Sequence, residues 1–350
     1  MYCGEPLLSY LRKGYKRLNR NRWLPPVQAL VPAVASLAMA LAVASGFSSY
    51  GMEGPGDQDV RWVYSQKDYH WYFYETEETP HTGWLQHHGE WYWFDDAGRM
   101  AEGGFRDAGG GRYYFFINGH MAWNQFVGMK YYGQDGQNDP AHDVRLFGRE
   151  TVTSEQKDLF SDYLYQVPRS WIARFMEEEW QMMFYTSKKY FSAPDTDRGI
   201  YYVNHSVDTH YRKLKFTHVD AVLQGFGEYV WYSAGLSRKN HVLMEKLWKE
   251  EPGLAGILEI PDYYASDSKF YFGKLFAAWL DGEKREKIWM AAPETGRILD
   301  EILHMHDEPE LREWHRQRLE AEMEAARLRR EQRTAEEGYG PGVPRETAGS

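Results

Sequence analysis

Blocks of consecutive aromatic residues recur at a nearly constant spacing in the first half of the chain. Tyr72, Tyr92, Tyr113 and Tyr131 lie in successive blocks, at intervals of 20, 21 and 18 residues. Such a period is typical of stacked repeats, in which each unit buries its apolar face against its neighbours. The sequence therefore predicts a repeat region over residues 61–138.

Each aromatic block is predicted to be a short β-strand, because aromatic residues are enriched in strands. The segments Asp95–Gly98 and Asn118–Gly119 carry turn residues, and we expect them to reverse the chain into a second strand. A single hairpin is marginal in water, so the hairpins must stack. The predicted fold of this region is a β-hairpin repeat solenoid.

One unit of this region resembles the choline-binding or cell wall-binding repeat. Its segment 82–100 contains a Gly-Trp pair ending at Trp84 and a Trp-Tyr-Trp-Phe run beginning at Trp91. In that family, aromatic cages between successive hairpins hold the choline of wall teichoic acids, since ring faces stabilise a quaternary ammonium. The resemblance implies that Trp84 and Trp91 are cage residues and that Tyr113 or Tyr114 supplies a third wall.

The following unit departs from that pattern. Phe105 stands where the Gly-Trp tryptophan belongs, and Arg112 stands where the strand tryptophan belongs. A cationic Arg112 near a cage would repel choline. Two other interpretations of the aromatic residues stay open: they form only the repeat core, or they stack on a polysaccharide.

The amino-terminal residues have the composition of an export signal. Six basic residues in the leader precede an apolar run over 27–44, and Ala42-Val43-Ala44 offers a cleavage site before Ser45. Residues 1–44 are predicted to be a cleaved signal peptide or an uncleaved membrane anchor, followed by a linker at 45–60. Both alternatives place the bulk of the chain outside the cell.

Overall charge argues against a nucleic-acid partner, and cysteine content excludes disulfides and cysteine-bound metals beyond the leader. The net charge is -10, which gives no basic footprint for nucleic acid. The single cysteine, Cys3, lies in the leader, so the rest of the chain has no disulfide and no cysteine-bound metal.

Residues 145–305 are predicted to form a separate α+β domain. A helix is expected over Ser170–Gln181, and strands over Met182–Thr186 and Gly199–Val203. Two segments, 219–230 and 261–276, resemble the catalytic domain of anthrax lethal factor and its relatives, the Pro-Pro endopeptidases, which are zinc metallopeptidases with a zincin fold.

In that family a helix carries His-Glu-x-x-His, whose histidines bind zinc while the glutamate activates water. Laid on this sequence, the motif implies Gln224 and Glu228 at the two histidines and Gly225 at the catalytic glutamate. The resemblance retains Tyr263 in the oxyanion role but places Phe270 at the third zinc ligand. The domain is therefore expected to be catalytically inactive and to bind neither metal nor cofactor.

Two alternatives to an inactive peptidase stay open: chance similarity, and an active secreted zinc endopeptidase with nonstandard ligands. A glycine at 225 costs a helix about 1 kcal/mol relative to alanine, which favours an ancestral site over chance. Other histidines, including His205, His210, His304 and His306, show no helical two-ligand spacing with a partnered carboxylate. They are expected to be solvated or hydrogen-bonded.

The carboxyl end is rich in Glu, Arg, Ala and Leu. Residues 306–337 are predicted to form an exposed charged helix, with a partner-binding coiled coil as the alternative, and 338–350 a disordered tail.

The leading functional hypothesis is an exported bacterial cell-surface protein. Its repeats bind choline or a polysaccharide of the wall, and its peptidase-like domain binds a peptide or protein without cutting it. It contacts the membrane if the amino-terminal segment is uncleaved. A structural or toxin-like surface protein is the remaining alternative.

Overall fold

The computed structural model describes residues 61–76, 78–195, 199–236, 254 and 268–338. All of them belong to one compact unit, Gly46–Ser350. The predicted export segment, the linker, Tyr263 and residues 339–350 lie outside the described residues. No helix in the described ranges combines the length and apolar character needed to cross a membrane.

Eight short strands form four antiparallel hairpins, which confirms the hairpin prediction. The pairs are β1 (Arg61–Ser65) with β2 (His70–Tyr74), β3 (Gly83–His87) with β4 (Glu90–Phe94), β5 (Gly104–Ala108) with β6 (Gly111–Phe115), and β7 (Gln125–Val127) with β8 (Lys130–Tyr132). All four share one register, in which the second residue of the first strand is aromatic. These residues and their partners are Trp62 with Phe73, Trp84 with Trp93, Phe105 with Tyr114, and Phe126 with Tyr131.

The turns that close the hairpins lie before the aromatic blocks, so the predicted position of these turns is wrong. In the second hairpin His88 and Gly89 both have positive φ, 46° and 77°, as a tight two-residue hairpin turn requires. The segment Asp95–Gly98 instead follows β4, where it brings Phe94 and Met100 together in an isolated bridge.

Successive hairpins are joined by equivalent hydrogen bonds. The Met100 amide donates to the Trp71 carbonyl at 2.9 Å, and the Met121 amide donates to the Trp91 carbonyl at 2.8 Å. Met100 and Met121 each connect the hairpin they follow to the preceding one. Phe73, Phe94, Phe115 and Met121 are buried along this series, which supplies the apolar contact that isolated hairpins lack.

The fourth hairpin packs into the core of the second module. Phe126 is fully buried, and its carbonyl accepts a hydrogen bond from the Ser161 hydroxyl at 2.9 Å. The Gln125 amide side chain donates to the Leu164 carbonyl at 3.2 Å. Both partners lie on helix α1 (Ser154–Tyr165), so the fourth hairpin and the second module share one core.

A mixed four-stranded sheet forms the centre of the second module. It contains β9 (Arg145–Phe147), β10 (Gln181–Tyr185), β13 (His205–Asp208) and β14 (Lys213–Phe216), in the order β13-β14-β10-β9. β10 is parallel to β9 and β14, whereas β13 is antiparallel to β14. β11 (Phe191–Asp195) and β12 (Gly199–Val203) form a separate hairpin. The predicted strands at 182–186 and 199–203 are present.

Six further helices complete the described fold. They are α2 (Arg169–Glu177), α3 (Val222–Ser233), α4 (Ser268–Leu280), α5 (Gly282–Ala291), α6 (Pro293–Leu303) and α7 (Pro309–Gly338). The prediction of a helix through Gln181 is wrong, because Glu179 adopts a left-handed φ of 58° and Gln181 begins β10. A residue in that conformation ends an α-helix.

The carboxyl-terminal helix α7 is not wholly exposed, contrary to the prediction. Leu319, Met323 and Ala326 are buried, and their spacing of four and three residues places them on one helix face. The Trp314 ring stacks on His88 of the second hairpin, with centroids 4.3 Å apart. The charged residues cover the remaining surface, so α7 is a packed amphipathic helix.

Candidate functional site

The Trp84 ring lies nearly perpendicular to two other aromatic rings, one from its own hairpin and one from the next. The Trp84 ring on β3 lies 6.2 Å from Trp91 on β4, at an interplanar angle of 88°. It lies 5.0 Å from Tyr113 on β6, at 87°. We call Trp84, Trp91 and Tyr113 the aromatic corner. All three residues are half-buried, so their rings pack on the hairpin core and also reach its surface.

Glycines in the third hairpin make room for the aromatic corner. Gly109 has a left-handed φ of 54°, and a Cβ there would lie 2.4 Å from the Trp84 indole nitrogen. A Cβ on Gly111 would lie 2.7 Å from the Tyr113 ring. Trp84 also stacks on buried Phe115, with centroids 6.0 Å apart. The position of Trp84 is therefore set by packing on both sides.

Tyr114 does not join the aromatic corner. Neighbouring residues of a strand point to opposite faces, and Tyr114 packs instead against Phe105, with centroids 5.3 Å apart. Burial raises the pKa of its hydroxyl. Of the two candidates for the third wall, only Tyr113 contacts Trp84.

The third hairpin fills the equivalent position with its own cation. Phe105 and Arg112 occupy the registers of Trp84 and Trp91, and the Arg112 guanidinium carbon lies 5.9 Å from the Phe105 ring centroid. This distance falls within the range of a cation–π contact. Lys130 of the fourth hairpin occupies the register of Tyr113. Cationic side chains thus replace two of the three rings.

The first hairpin has a related pair that sequence reasoning missed. Trp62 has the register of Trp84, and its ring lies 4.8 Å from Tyr92, the equivalent of Tyr113. Trp71, the equivalent of Trp91, packs against Tyr64 at 5.2 Å. The interval of 22 residues from Trp62 to Trp84 was the available signal in the sequence.

The residues implied by the peptidase resemblance lie on two packed helices. Gln224, Gly225 and Glu228 are on α3, and Phe270 is on α4. The exposed fractions of Gln224, Glu228 and Phe270 are 8%, 1% and 6%, so none lines an open groove. A Cβ on Gly227 would lie 3.0 Å from the Gly273 Cα, which shows how closely the helices approach.

Glu228 forms a buried polar group with residues from two other elements. One carboxylate oxygen lies 2.5 Å from His205 Nε2 on β13, and the other lies 3.5 Å from Lys269 Nζ on α4. His205 is hydrogen-bonded, which agrees with the expectation for this residue, and its partner comes from α3, distant from β13 in sequence but adjacent in the fold. The hydrogen bond with His205 and the positive charge of Lys269 offset the cost of burying the Glu228 carboxylate.

Gly225 has a packing role that weakens the argument from helix propensity. A Cβ at this position would lie 2.5 Å from the Leu214 side chain on β14 and 3.4 Å from the His205 ring. Close packing of α3 on the sheet therefore requires glycine. This requirement explains the residue without reference to an ancestral site.

One group of three ligand-type side chains occurs within the described ranges, and it is remote from α3 in sequence. His304, Asp307 and His315 each place one donor atom within 4.8 Å of the others. His304 Nδ1 lies 2.7 Å from an Asp307 oxygen, so His304 is hydrogen-bonded, which agrees with the expectation for this residue.

Comparisons with known proteins give partial structural similarities. No family model and no curated protein matches the chain. The choline binding domain of Spr1274 in Streptococcus pneumoniae is similar, with 34% identity, 17% of this chain and 89% of that chain covered, and a TM-score of 0.16.

Two further pneumococcal proteins are each similar over 26% of this chain. Choline binding protein F has 26% identity and a TM-score of 0.20, with 26% of this chain and 30% of that chain covered. The modular autolysin LytC in complex with a synthetic peptidoglycan ligand has 17% identity, the same coverage and a TM-score of 0.18.

Proposed function

We propose that this chain is an exported bacterial cell-surface protein that attaches to the cell wall by binding choline at the aromatic corner. The observation that carries the proposal is the convergence of Trp84, Trp91 and Tyr113 at angles of 88° and 87°. Rings from β3, β4 and β6 contribute, so the site depends on the stacking of two hairpins.

The geometry suits a quaternary ammonium better than a sugar. A trimethylammonium group is compact and cationic, and it contacts several ring faces at once without needing a hydrogen-bond partner. A sugar ring instead stacks on a flat aromatic platform. Perpendicular rings form a corner, not a platform, and this favours choline over a polysaccharide.

Export is part of the proposal because the wall lies outside the membrane. The basic leader and the apolar run at 27–44 support it on composition alone. Whether the segment is cleaved or kept as an anchor does not alter the side on which the repeats are exposed.

The second module is proposed to be a catalytically inactive peptidase-like domain that binds a peptide or protein. Gln224, Gly225 and Glu228 replace the zinc-binding and catalytic residues of the motif it resembles, and Glu228 is engaged with His205. Because these positions are buried, binding would use the sheet edge. β13 is an edge strand among the described strands, and an extended peptide can add to such an edge through backbone hydrogen bonds.

Retention of the purified protein on a choline-substituted column tests the wall-binding proposal. We expect retention, elution by free choline, and loss of retention in Trp84→Ala and Trp91→Ala. Tyr114→Ala is the matched control, because it removes an aromatic ring from the same hairpin as Tyr113 but from the opposite face. Circular dichroism verifies that each variant is folded. Retention of folded Trp84→Ala, or loss in Tyr114→Ala alone, would refute the assignment.

A further inference from the structure

The turn between α6 and α7 brings two imidazoles and a carboxylate together. His304 follows α6, Asp307 lies in the turn, and His315 is in the second turn of α7. His304 Nδ1 is 2.7 Å from Asp307 Oδ2, and His315 Nε2 is 3.9 Å from the same oxygen. The two imidazole rings stack with centroids 3.8 Å apart.

Two neighbouring side chains lie against the Asp307 carboxylate and the His304 ring. The Ser170 hydroxyl on α2 donates to Asp307 Oδ1, which leaves Oδ2 directed at the imidazoles. Asp300 Oδ1 lies 3.8 Å from His304 Nε2, the ring nitrogen away from Asp307. A carboxylate behind a histidine is the arrangement that orients metal-binding imidazoles in proteins.

We propose that His304, Asp307 and His315 form a binding site for a divalent transition-metal ion of the zinc class. Imidazole nitrogen and carboxylate oxygen are the donors that such ions prefer in proteins. The side chain of Asp307 is 5% exposed and that of His315 is 28% exposed. The ion therefore has a route from solvent on the His315 side, where water completes its coordination.

The separations between the ligand atoms bracket the value expected around a zinc ion, and binding requires the two imidazole rings to rotate. Ligand atoms about 2.0–2.1 Å from a tetrahedral zinc lie roughly 3.3 Å apart. The separations from Asp307 Oδ2, 2.7 Å and 3.9 Å, lie on either side of this value. A lone pair of imidazole lies in the ring plane, so binding rotates the two stacked rings until their planes meet at the ion.

A bound ion would fix the direction in which α7 leaves α6. Trp314, the residue before His315, stacks on His88 of the second hairpin. Binding would thus stabilise the docking of α7 on the repeat region. None of the three ligand residues belongs to the aromatic corner or to α3. The proposed metal site therefore implies neither choline binding nor peptidase activity.

Zinc content of the full chain tests this site. The protein is purified without a polyhistidine tag, stripped with a chelator, dialysed against zinc and then against buffer, and measured by elemental analysis. We expect one zinc per chain in the wild type, and loss of it in His315→Asn and Asp307→Asn. His210→Asn is the matched control, since it removes an exposed imidazole from the turn between β13 and β14.

A second measurement does not depend on the folding of variants. In wild-type protein with nitrogen-labelled histidines, zinc should shift the ring signals of two of the 13 histidines and raise the midpoint of thermal unfolding. Absence of bound zinc in the wild type would overturn the proposal. So would equal zinc content in folded His315→Asn, or shifts at histidines other than 304 and 315.

Discussion

The second and third hairpins share one backbone register but carry opposite chemistry at the same three positions. The second site has the rings of Trp84, Trp91 and Tyr113. The third has Phe105 with Arg112 above it, and Lys130 in the remaining register. A repeat scaffold can therefore keep its fold while the contact between one pair of hairpins carries three aromatic rings and the next carries the protein's own cations.

The difference shows that the number of aromatic residues does not predict the number of ligand sites. Phe105 is 45% exposed and lies beside another aromatic ring, Tyr114. It would be counted as a cage residue by composition. The guanidinium of Arg112 occupies its face instead, and a second cation there would meet electrostatic repulsion.

The largest expected effect on choline affinity comes from giving the second hairpin the arginine that the third hairpin carries at the equivalent position. Trp91→Arg removes one ring of the aromatic corner and adds a positive charge. A desolvated cation–π contact is worth about 2 kcal/mol, so we expect choline affinity to fall at least about 30-fold. Isothermal titration with choline measures the change. Unchanged choline affinity in a folded Trp91→Arg protein would show that a ring rather than a cation at this position does not determine choline binding.

The reciprocal exchange should create a site. Phe105→Trp, Arg112→Trp and Lys130→Tyr together give the third junction the three residues of the second. We expect the number of choline molecules bound per chain to rise by one, with the affinity of the aromatic corner unchanged. Arg112→Trp alone should give a weaker second site, because Lys130 stays. A stoichiometry that does not rise in the triple variant would mean that backbone differences, not side chains, separate the junctions.

A smaller effect is expected from moving Trp84 without changing it. Gly109→Ala places a methyl group 2.4 Å from the indole nitrogen, so the ring must shift, and choline affinity should fall roughly tenfold, or about 1.4 kcal/mol. Gly110→Ala is the control: its φ of 85° imposes similar backbone strain, but nothing lies within 4 Å of the added Cβ. Equal affinity in the two variants would argue against a positional requirement on Trp84.

A further effect concerns pH and the contact between the two hairpins. His120 follows the third hairpin and lies 3.6 Å from Glu90 of the second, and burial lowers its pKa from 6.5 to about 4. Between these values the unfolded chain binds more protons than the folded one, so stability is highest above pH 6.5 and falls as the pH drops toward 4. Denaturant unfolding across this window measures the slope, which should flatten in His120→Gln.

Local sequence patterns predicted the hairpins and some elements of the second module, among them α2, β10, β12 and α7, but not the contacts between elements. The turn was misplaced because Asp95–Gly98 has stronger turn residues than His88-Gly89, although only the latter pair closes a hairpin. The buried face of α7 was readable in the spacing of Leu319, Met323 and Ala326, but the many charges obscured it.

The polar groups could not be predicted because their members come from separate elements. His205 and Glu228 are 23 residues apart and meet only when α3 packs on β13. His304 and His315 meet only because the turn after α6 reverses the chain. The glycine at 225 is likewise explained by its packing against Leu214. That contact joins two elements, so no local sequence pattern contains it.

The most direct test of the central claim is a titration of the wild-type chain with choline and with 3,3-dimethylbutan-1-ol, a neutral compound of nearly the same shape. If the aromatic corner binds a cation through its ring faces, choline should bind at least about tenfold more tightly, and the difference should vanish in Trp84→Ala. Equal binding of the two compounds by the wild type would contradict the claim, because it would mean that the rings select shape and apolar surface, not charge.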